Sequence, residues 1–416
     1  MPQLKEKQNI PSGWFETTLE TECDFFKGQS LAKSDIDSSG KNKCILYGQL
    51  FTTYSEVIKD IKSRTNSDKG VVSRKGDVLV PASTTTVAKD LAIASALLED
   101  NVLLGGDINV IRGKKNSYDP KFLAYYLTHY KNKDLSNYAQ GVTIIHLSGT
   151  KFKEMSICIP KSVSEQEKIA EILSIVDEDI EKTKATIKTT EKLKRGLMQE
   201  LFTRGIGHTK FQQTKNGEIP LEWNFELLDS VSKRGSGHTP NKQIPEYYNG
   251  GIKWISLADS KLLDHGEISK TKINISVEGI SNSSAVLHPK GTVLLSRDAG
   301  VGKSAVMAET MAVSQHFITW TCSEKLNNWY LYYYLQLQKS VFERIAVGST
   351  IKTIGLEFFR KYKVPVAPIT EQQKIADMLL AVDEKISINK KLLAKQTELK
   401  KGLMQDLLSG NKRISI

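Results

Sequence analysis

Gly300-Val-Gly-Lys-Ser304 carries the glycines, lysine and hydroxyl from which phosphate-binding loops are built. Such a loop needs another glycine five residues before its Gly-Lys pair, and that position is Arg297. The segment also lies between two β-like runs instead of opening a helix, so a nucleotide site is not supported. His129, His146, His208, His238, His265, His288 and His316 show neither HxxxH nor HExxH spacing. Cys23, Cys44, Cys158 and Cys322 lie far apart with no C-x-x-C, which suggests neither a zinc knuckle nor a disulfide framework. There is no Gly-x-Ser-x-Gly elbow, no Asn/Asp-Pro-Pro-aromatic methyltransferase motif and no nuclease-like carboxylate cluster. No catalytic residue and no metal site are expected.

Other polar stretches suit the reading of nucleic acid, where Arg, Lys, Asn, Gln, Ser and Thr reach base edges and phosphates. After an apolar run, Ser296 to Ser304 is polar and glycine-rich. Its candidates are Arg297, Lys303 and Ser304, against the plain reading of a solvated turn. The first-half counterpart is Pro81 to Thr86, with Ser83, Thr84 and Thr85 and with Lys89 beyond, although threonine runs are also good strand formers. Gly141-Val-Thr143 and Gly348-Ser349-Thr350, the latter followed by Lys352, suit an anion because glycine lets backbone N–H groups approach closely. Ser236, His238, Thr239 and Lys242 form a fourth polar loop. The tyrosines at 125–126 and 332–334 are read as core packing in preference to base stacking.

What must position these loops is a duplicated scaffold. Ser164-Glu-Gln-Glu-Lys-Ile-Ala-Glu-Ile-Leu-Ser-Ile-Val-Asp177 aligns without a gap with Thr370-Glu-Gln-Gln-Lys-Ile-Ala-Asp-Met-Leu-Leu-Ala-Val-Asp383. The same register joins Leu193-Lys-Arg-Gly-Leu-Met-Gln-Glu-Leu201 to Leu399-Lys-Lys-Gly-Leu-Met-Gln-Asp-Leu407. A repeat of this length decides the architecture before any local reading does. It extends upstream through Tyr125-Tyr-Leu127 with Tyr333-Tyr-Leu335, Lys75-Gly with Lys290-Gly, and the openings Ile10-Pro-x-x-Trp14 and Ile219-Pro-x-x-Trp223.

The best-matched segments are helical. Ile169, Leu173, Val176, Ile180, Ile187, Leu193, Leu197 and Leu201 form a narrow apolar stripe, and Ile375, Leu379, Val382, Ile386, Leu393, Leu399, Leu403 and Leu407 repeat it. That is the pattern of a coiled-coil seam, here of an antiparallel helix pair. Thr183, Thr190, Asn389 and Gln396 interrupt it. Ser164 with Glu167, and Thr370 with Gln373, have capping-box spacing, and Gly205 and Gly410 are expected stops. Gly196 and Gly402 lie inside the helices, as close-packing points, bends or tolerated glycines. At about 40 residues each, the helices are roughly 60 Å long.

Between them the sequence alternates short β-like runs with one Tyr-rich helix, so the fold class is α+β with two α/β heads and a pseudo-twofold repeat. The expected boundaries are 1–163, 164–206, 207–369 and 370–416. The chain of 416 residues has 58 Lys and Arg against 47 Asp and Glu, a net charge of +11. Residues 165–204 hold 8 basic and 9 acidic side chains and residues 371–413 hold 9 and 6, so the excess sits on the heads. Its longest apolar run, Leu91 to Leu98, is far short of the roughly 20 residues a membrane span needs. With no signal-like start, the expected place is the cytoplasm. Two diverged heads on matched helices suit two half-sites held at a fixed gap. A self-sufficient enzyme with an unrecognised site, or a plain coiled-coil linker, are the competing classes.

In the matched helix starts and ends, in Gly141-Val-Thr and Gly348-Ser-Thr with their Phe-β-Pro exits, and in Ser236-Gly-His-Thr-Pro240 with Gly251-Ile-Lys-Trp-Ile-Ser256, the chain resembles the specificity subunit of type I restriction–modification enzymes. The resemblance spans essentially the whole length. The first head departs from it, lacking the Thr-Pro and Gly-x-x-Trp-Ile patterns. What the resemblance implies is a non-catalytic subunit with two target-recognition domains, each reading half of a bipartite site in double-stranded DNA. The helices set the spacer and dock methyltransferase subunits, two being expected, and nuclease/translocase (restriction) subunits join for cleavage. S-adenosylmethionine, ATP and Mg would belong to those partners, with no cofactor in this chain.

Overall fold

The computed structural model describes residues 10–114, 117–214, 217–349 and 351–414. The chain forms two compact units, Met1–Lys184 with Lys391–Ile416, and Ala185–Lys390. In the first, Trp14–Thr18 pairs antiparallel with Ser156–Pro160, closing the head where the chain leaves for its long helix. A five-stranded sheet runs in the order Cys23–Lys27, Ile108–Gly113, Val78–Pro81, Ser95–Leu97, Val57–Ile58. A four-stranded sheet runs Ser63–Thr65, Asn42–Ile45, Leu103–Leu104, Val71–Val72.

The second unit repeats this plan by itself. Asn224–Leu227 pairs with Lys363–Val366. Its five-stranded sheet runs Ser232–Ser236, Phe317–Cys322, Val293–Ser296, Ser304–Met307, Glu267–Ile268, and its four-stranded sheet runs Ile273–Ile275, Tyr248–Ile255, Met311–Val313, Leu287–His288. The sense of every pairing matches, including the single parallel pair in each sheet. The central strands read as continuous apolar runs because both their faces are covered. Val78 and Val80 enter one core and Leu79 another, as Val293 and Leu295 do against Leu294.

The tyrosines are core. Tyr125, Tyr126, Tyr332 and Tyr333 are buried, and each side chain of this size contributes roughly 1.5–3 kcal/mol by leaving water. Tyr126–Tyr130 continues its helix as a π-turn, a detail the sequence did not announce.

The long helices are Val163–Arg204 and Ile369–Leu407. In the first unit Ile169, Ala170 and Leu173, near one helix start, share a core with Leu407 and Leu408 at the other helix end. In the second, Ile375 and Leu379 share one with Met198, Leu201 and Phe202. The helices therefore pack as an antiparallel pair. Of the expected seam, Ile169, Leu173, Ile180, Ile187, Leu201, Ile375, Leu379, Ile386 and Leu407 are buried, while Val176, Leu197, Val382, Leu393 and Leu403 are half-buried.

Leu193 and Leu399 correct that reading, being 60% and 55% exposed. Alternating steps of three and four from Leu173 through Thr183 and Thr190 arrive at Lys194, and in the second helix at Lys400. A lysine whose stem packs and whose amine is paired fills each seam position, which displaces the leucine beside it to the outside. The capping boxes are also corrected. The helices start earlier, at Val163 and Ile369, so Ser164 and Thr370 lie within the first turn; Ser162 Oγ accepts from the Glu165 N–H at 3.4 Å. Gly205 directly follows the first helix and Gly410 lies three residues beyond the second, both with positive φ. Around Gly196 and Gly402 an added Cβ would meet nothing within 4 Å, so they are not close-packing points among the described residues.

The motif Glu-Gln at each helix start fastens the helix to its head. The Gln166 amide accepts from the Asp119 N–H at 2.9 Å and donates to Pro160 O at 2.9 Å. Gln372 does the same with the Asn327 N–H at 2.8 Å and Ala367 O at 2.8 Å. Glu165 holds Arg413 through two bonds of 2.6 and 2.7 Å. Glu371 takes the Ile206 N–H at 2.8 Å, Trp223 Nε1 at 3.0 Å and His208 at 2.9 Å. Each glutamate thus grips the chain just after the other helix ends.

Candidate nucleic-acid interface

Three candidate stretches of the second head meet along the edge of its five-stranded sheet that is formed by strand ends, not by an outer strand. Strand Val293–Ser296 delivers Arg297, strand Ser232–Ser236 delivers His238 and Thr239, and the chain before Leu356–Arg360 delivers Gly348, Ser349 and Lys352. Gln315 and His316, which the sequence reading did not single out, tie them together. Gln315 accepts from Thr239 Oγ1 at 2.7 Å and, through its carbonyl, from Arg297 Nε at 3.2 Å. His316 Nδ1 lies 3.0 Å from Asp298 Oδ2, and Thr353 bridges Asp298 and Val347. The other Asp298 carboxylate oxygen is buried with no hydrogen-bond partner among the described residues.

The first head builds the same edge from different residues. Ser83–Thr84 pairs with Ile145–His146, fastening the Gly141 loop to the threonine run. By sheet register Asp107 stands where His316 does, and Lys27-Gly28-Gln29-Ser30 stands where Ser236-Gly237-His238-Thr239 does. Gly28 and Gly237 are both obligatory, since a Cβ would lie 1.9 Å from Gly105 O and 1.7 Å from Val313 O. Lys27, Gln29 and Ser30 are exposed there and were missed. Their only signal was this glycine, invisible without the strand register.

Not every candidate is free to reach outward. Ser83 is buried and donates to Asp107 Oδ2 at 3.0 Å, and Ser304 is fully buried and bonded to Gln336 at 2.7 Å. Both are positioning groups, which corrects their expected contact role. Lys303 donates to Ser260 O at 3.0 Å, and Ser236 Oγ donates to Phe317 O at 2.9 Å. Thr85, Lys89, Gly141, Thr143, His238, Lys242, Gly348, Ser349 and Lys352 are exposed, Thr84, Thr239 and Arg297 half so. Thr350 lies outside the described residues. Gly300 to Ser304 forms the turn between strands Val293–Ser296 and Ser304–Met307, not a helix start.

At their glycines and closing bonds, the Gly141 and Gly348 loops have one geometry. Their φ angles are 130° and 131°, and a Cβ would lie 2.0 Å from Ile144 O and 2.2 Å from Ile351 O. Reciprocal backbone bonds close each loop, Gln140 with His146 at 2.8 and 2.7 Å and Val347 with Thr353 at 3.0 and 2.9 Å.

Beneath the second head's edge, His288 is buried between Ser236 O, 3.2 Å from its Nε2, and Thr319 Oγ1, 3.4 Å from its Nδ1. Burial lowers its pKa, and the neutral ring satisfies both contacts. Burial pushes the Cys23 and Cys322 thiols up to about 12, far from a nucleophile's range. Among the described residues no group of three or more His, Cys, Asp or Glu side chains is arranged to hold a metal, and no helix is long and apolar enough to cross a membrane.

Comparison with known proteins accounts for this double architecture. Residues 11–190 and 220–397 each match the type I restriction modification DNA specificity domain. A Methanocaldococcus jannaschii sequence named as the MjaX type I restriction enzyme specificity subunit is 26% identical over 97% of this chain and 95% of its own length. The EcoR124I/EcoR124II specificity subunit of Escherichia coli is 26% identical over 63% of each chain. The crystal structure of a type I restriction–modification S subunit from M. genitalium superposes with a TM-score of 0.61 over 100% of this chain and 99% of that one, at 18% identity, a likeness of fold. With both halves matched, the chain belongs to the type I restriction–modification specificity family, as a non-catalytic specificity subunit.

Proposed function

We propose that each head reads one half of a bipartite duplex DNA site and that the antiparallel helices fix the gap between the halves. The observation that carries this reading is the repetition of one sheet edge in both units with different side chains on it: Lys27, Gln29 and Thr85 in one, His238, Thr239 and Arg297 in the other. A shared frame with exchanged polar residues is what two different base sequences require. The candidates that remain exposed supply base and phosphate contacts, with the Gly141 and Gly348 loops on phosphates.

The helices dock methyltransferase subunits in the same reading. Leu193 with Gly196, one turn apart and exposed, recur as Leu399 with Gly402, giving two copies of one apolar, uncrowded patch. Two copies of a patch suit two copies of a partner. S-adenosylmethionine, ATP and Mg act on methyltransferase and restriction subunits, and the assembly works in the cytoplasm. Exchanging the second head, between Gly207 and Pro368, for that of another family member tests the reading. One half-site of the protected sequence should change while the other half and the gap persist. A change in both halves, or in neither, would refute it.

A further inference from the structure

The two most exposed large apolar residues among those described are Val142, at 96%, and Val347, at 72%. They belong to the same loop of the two heads, one after and one before the obligatory glycine. Ile144 and Ile351, at matching positions, are 50% and 57% exposed. These are not loose tips. Each loop has a positive-φ glycine and is closed at its base by a pair of backbone hydrogen bonds. A loop that is closed by its own backbone hydrogen bonds yet keeps apolar side chains in water in both heads gains nothing within the chain, and points to an external surface.

We propose that Val142 with Ile144, and Val347 with Ile351, are sequence-independent DNA contacts that press against the sugar faces of a groove. The inference rests on the DNA-reading role proposed above. Two observations favour DNA over protein as the occupant. Each loop is hydrogen-bonded to a candidate reading segment, through Thr84–Ile145 in the first head and Asp298–Thr353 in the second. Each loop also keeps an isoleucine at the same place, Ile144 and Ile351, and adds one exposed valine beside its glycine, although the neighbouring polar residues differ, as expected of a contact with what all duplexes share. Apolar side chains inserted along a groove are a known way of gripping DNA without reading it.

The test is binding of the full chain, co-purified with its partner subunits, to a duplex carrying the selected site and to one lacking it, across several salt concentrations. Val142→Ser with Val347→Ser should weaken both by about tenfold per loop, the loss of one buried apolar side chain. The specificity ratio and the slope of log K against log salt should not change, since no ion pair is removed. Val142→Ile with Val347→Ile, which keeps the contact in the same fold, should retain binding. Wild-type affinity in the serine variant would overturn the inference. So would a loss confined to the selected site, an altered salt slope, or loss of partner subunits, which would make the loops a protein-docking surface. Failure of the wild-type complex to distinguish the two duplexes would instead refute the DNA-reading role itself.

Discussion

Lys194 of the first long helix binds both carboxylate oxygens of Asp383 of the second, at 2.6 and 2.7 Å, and Tyr333 donates to the same carboxylate at 2.8 Å. The other unit repeats the arrangement: Lys400 lies 2.7 Å from Asp177, which accepts from Tyr125 at 2.7 Å. Each ammonium also faces its tyrosine ring, at 5.1 and 5.8 Å. In each unit the tyrosine comes from the head, the aspartate from that head's own helix and the lysine from the other helix. The cluster therefore fixes helix register and head attachment together.

Removing one partner of so enclosed a pair leaves the other charge poorly solvated. Lys194→Ala should destabilise the second unit by about 2–4 kcal/mol, and Lys400→Ala the first by a similar amount. A double-mutant cycle between Lys194 and Asp383, read by denaturant unfolding, should give a coupling of about 1–3 kcal/mol. Independent effects of the two substitutions would show that the pair does not set the register.

The outward leucines behave differently from the seam. Leu201→Ala should cost about 2–5 kcal/mol. Leu193→Asp with Leu399→Asp should change stability by only about 0.5 kcal/mol while abolishing co-purification of the methyltransferase subunits. Retention of those subunits would remove the docking role assigned to this face.

Acid should strike the two units at different pH. Glu56 is desolvated by burial, but its bonds to His129 and the nearby Lys400 charge more than compensate and hold it at about 2, below the ordinary 4.5. A depressed carboxyl pKa stabilises the fold above the unfolded value, so the first unit should lose stability between about pH 4.5 and 2. Glu56→Gln should flatten that limb of a pH–stability curve.

For His288 the depressed pKa means that the unfolded state binds the proton more readily. The second unit should weaken as pH falls below about 6.5, the ordinary histidine value. Hydrogen exchange should show Ser232–Ser236 and its partner strand loosening at pH 5.5 and not at 7.5. Equal protection at both would contradict the burial argument.

The helix pair was legible because a heptad pattern declares itself locally and the duplication supplied a second reading of it. Its error at Leu193 arose from following apolarity where the seam position belonged to Lys194, whose partner lies 189 residues away. The head equivalences were largely hidden. Lys43 pairs with Glu99 as Lys253 pairs with Glu309, and Gly28 does what Gly237 does. Those matches depend on strand register between segments tens of residues apart, with little residue identity to announce them. Ser83 and Ser304 misled because a hydroxyl suited to a base edge is equally suited to a buried carboxylate or amide. Only the neighbours decide.

The central claim is that one chain reads two sequences at one fixed distance. Selection from random duplex DNA by the full chain, co-purified with its partner subunits at a stated salt concentration, tests it most directly. Two short motifs separated by an invariant gap are predicted. A single motif, or no enrichment above non-specific binding, would contradict the account.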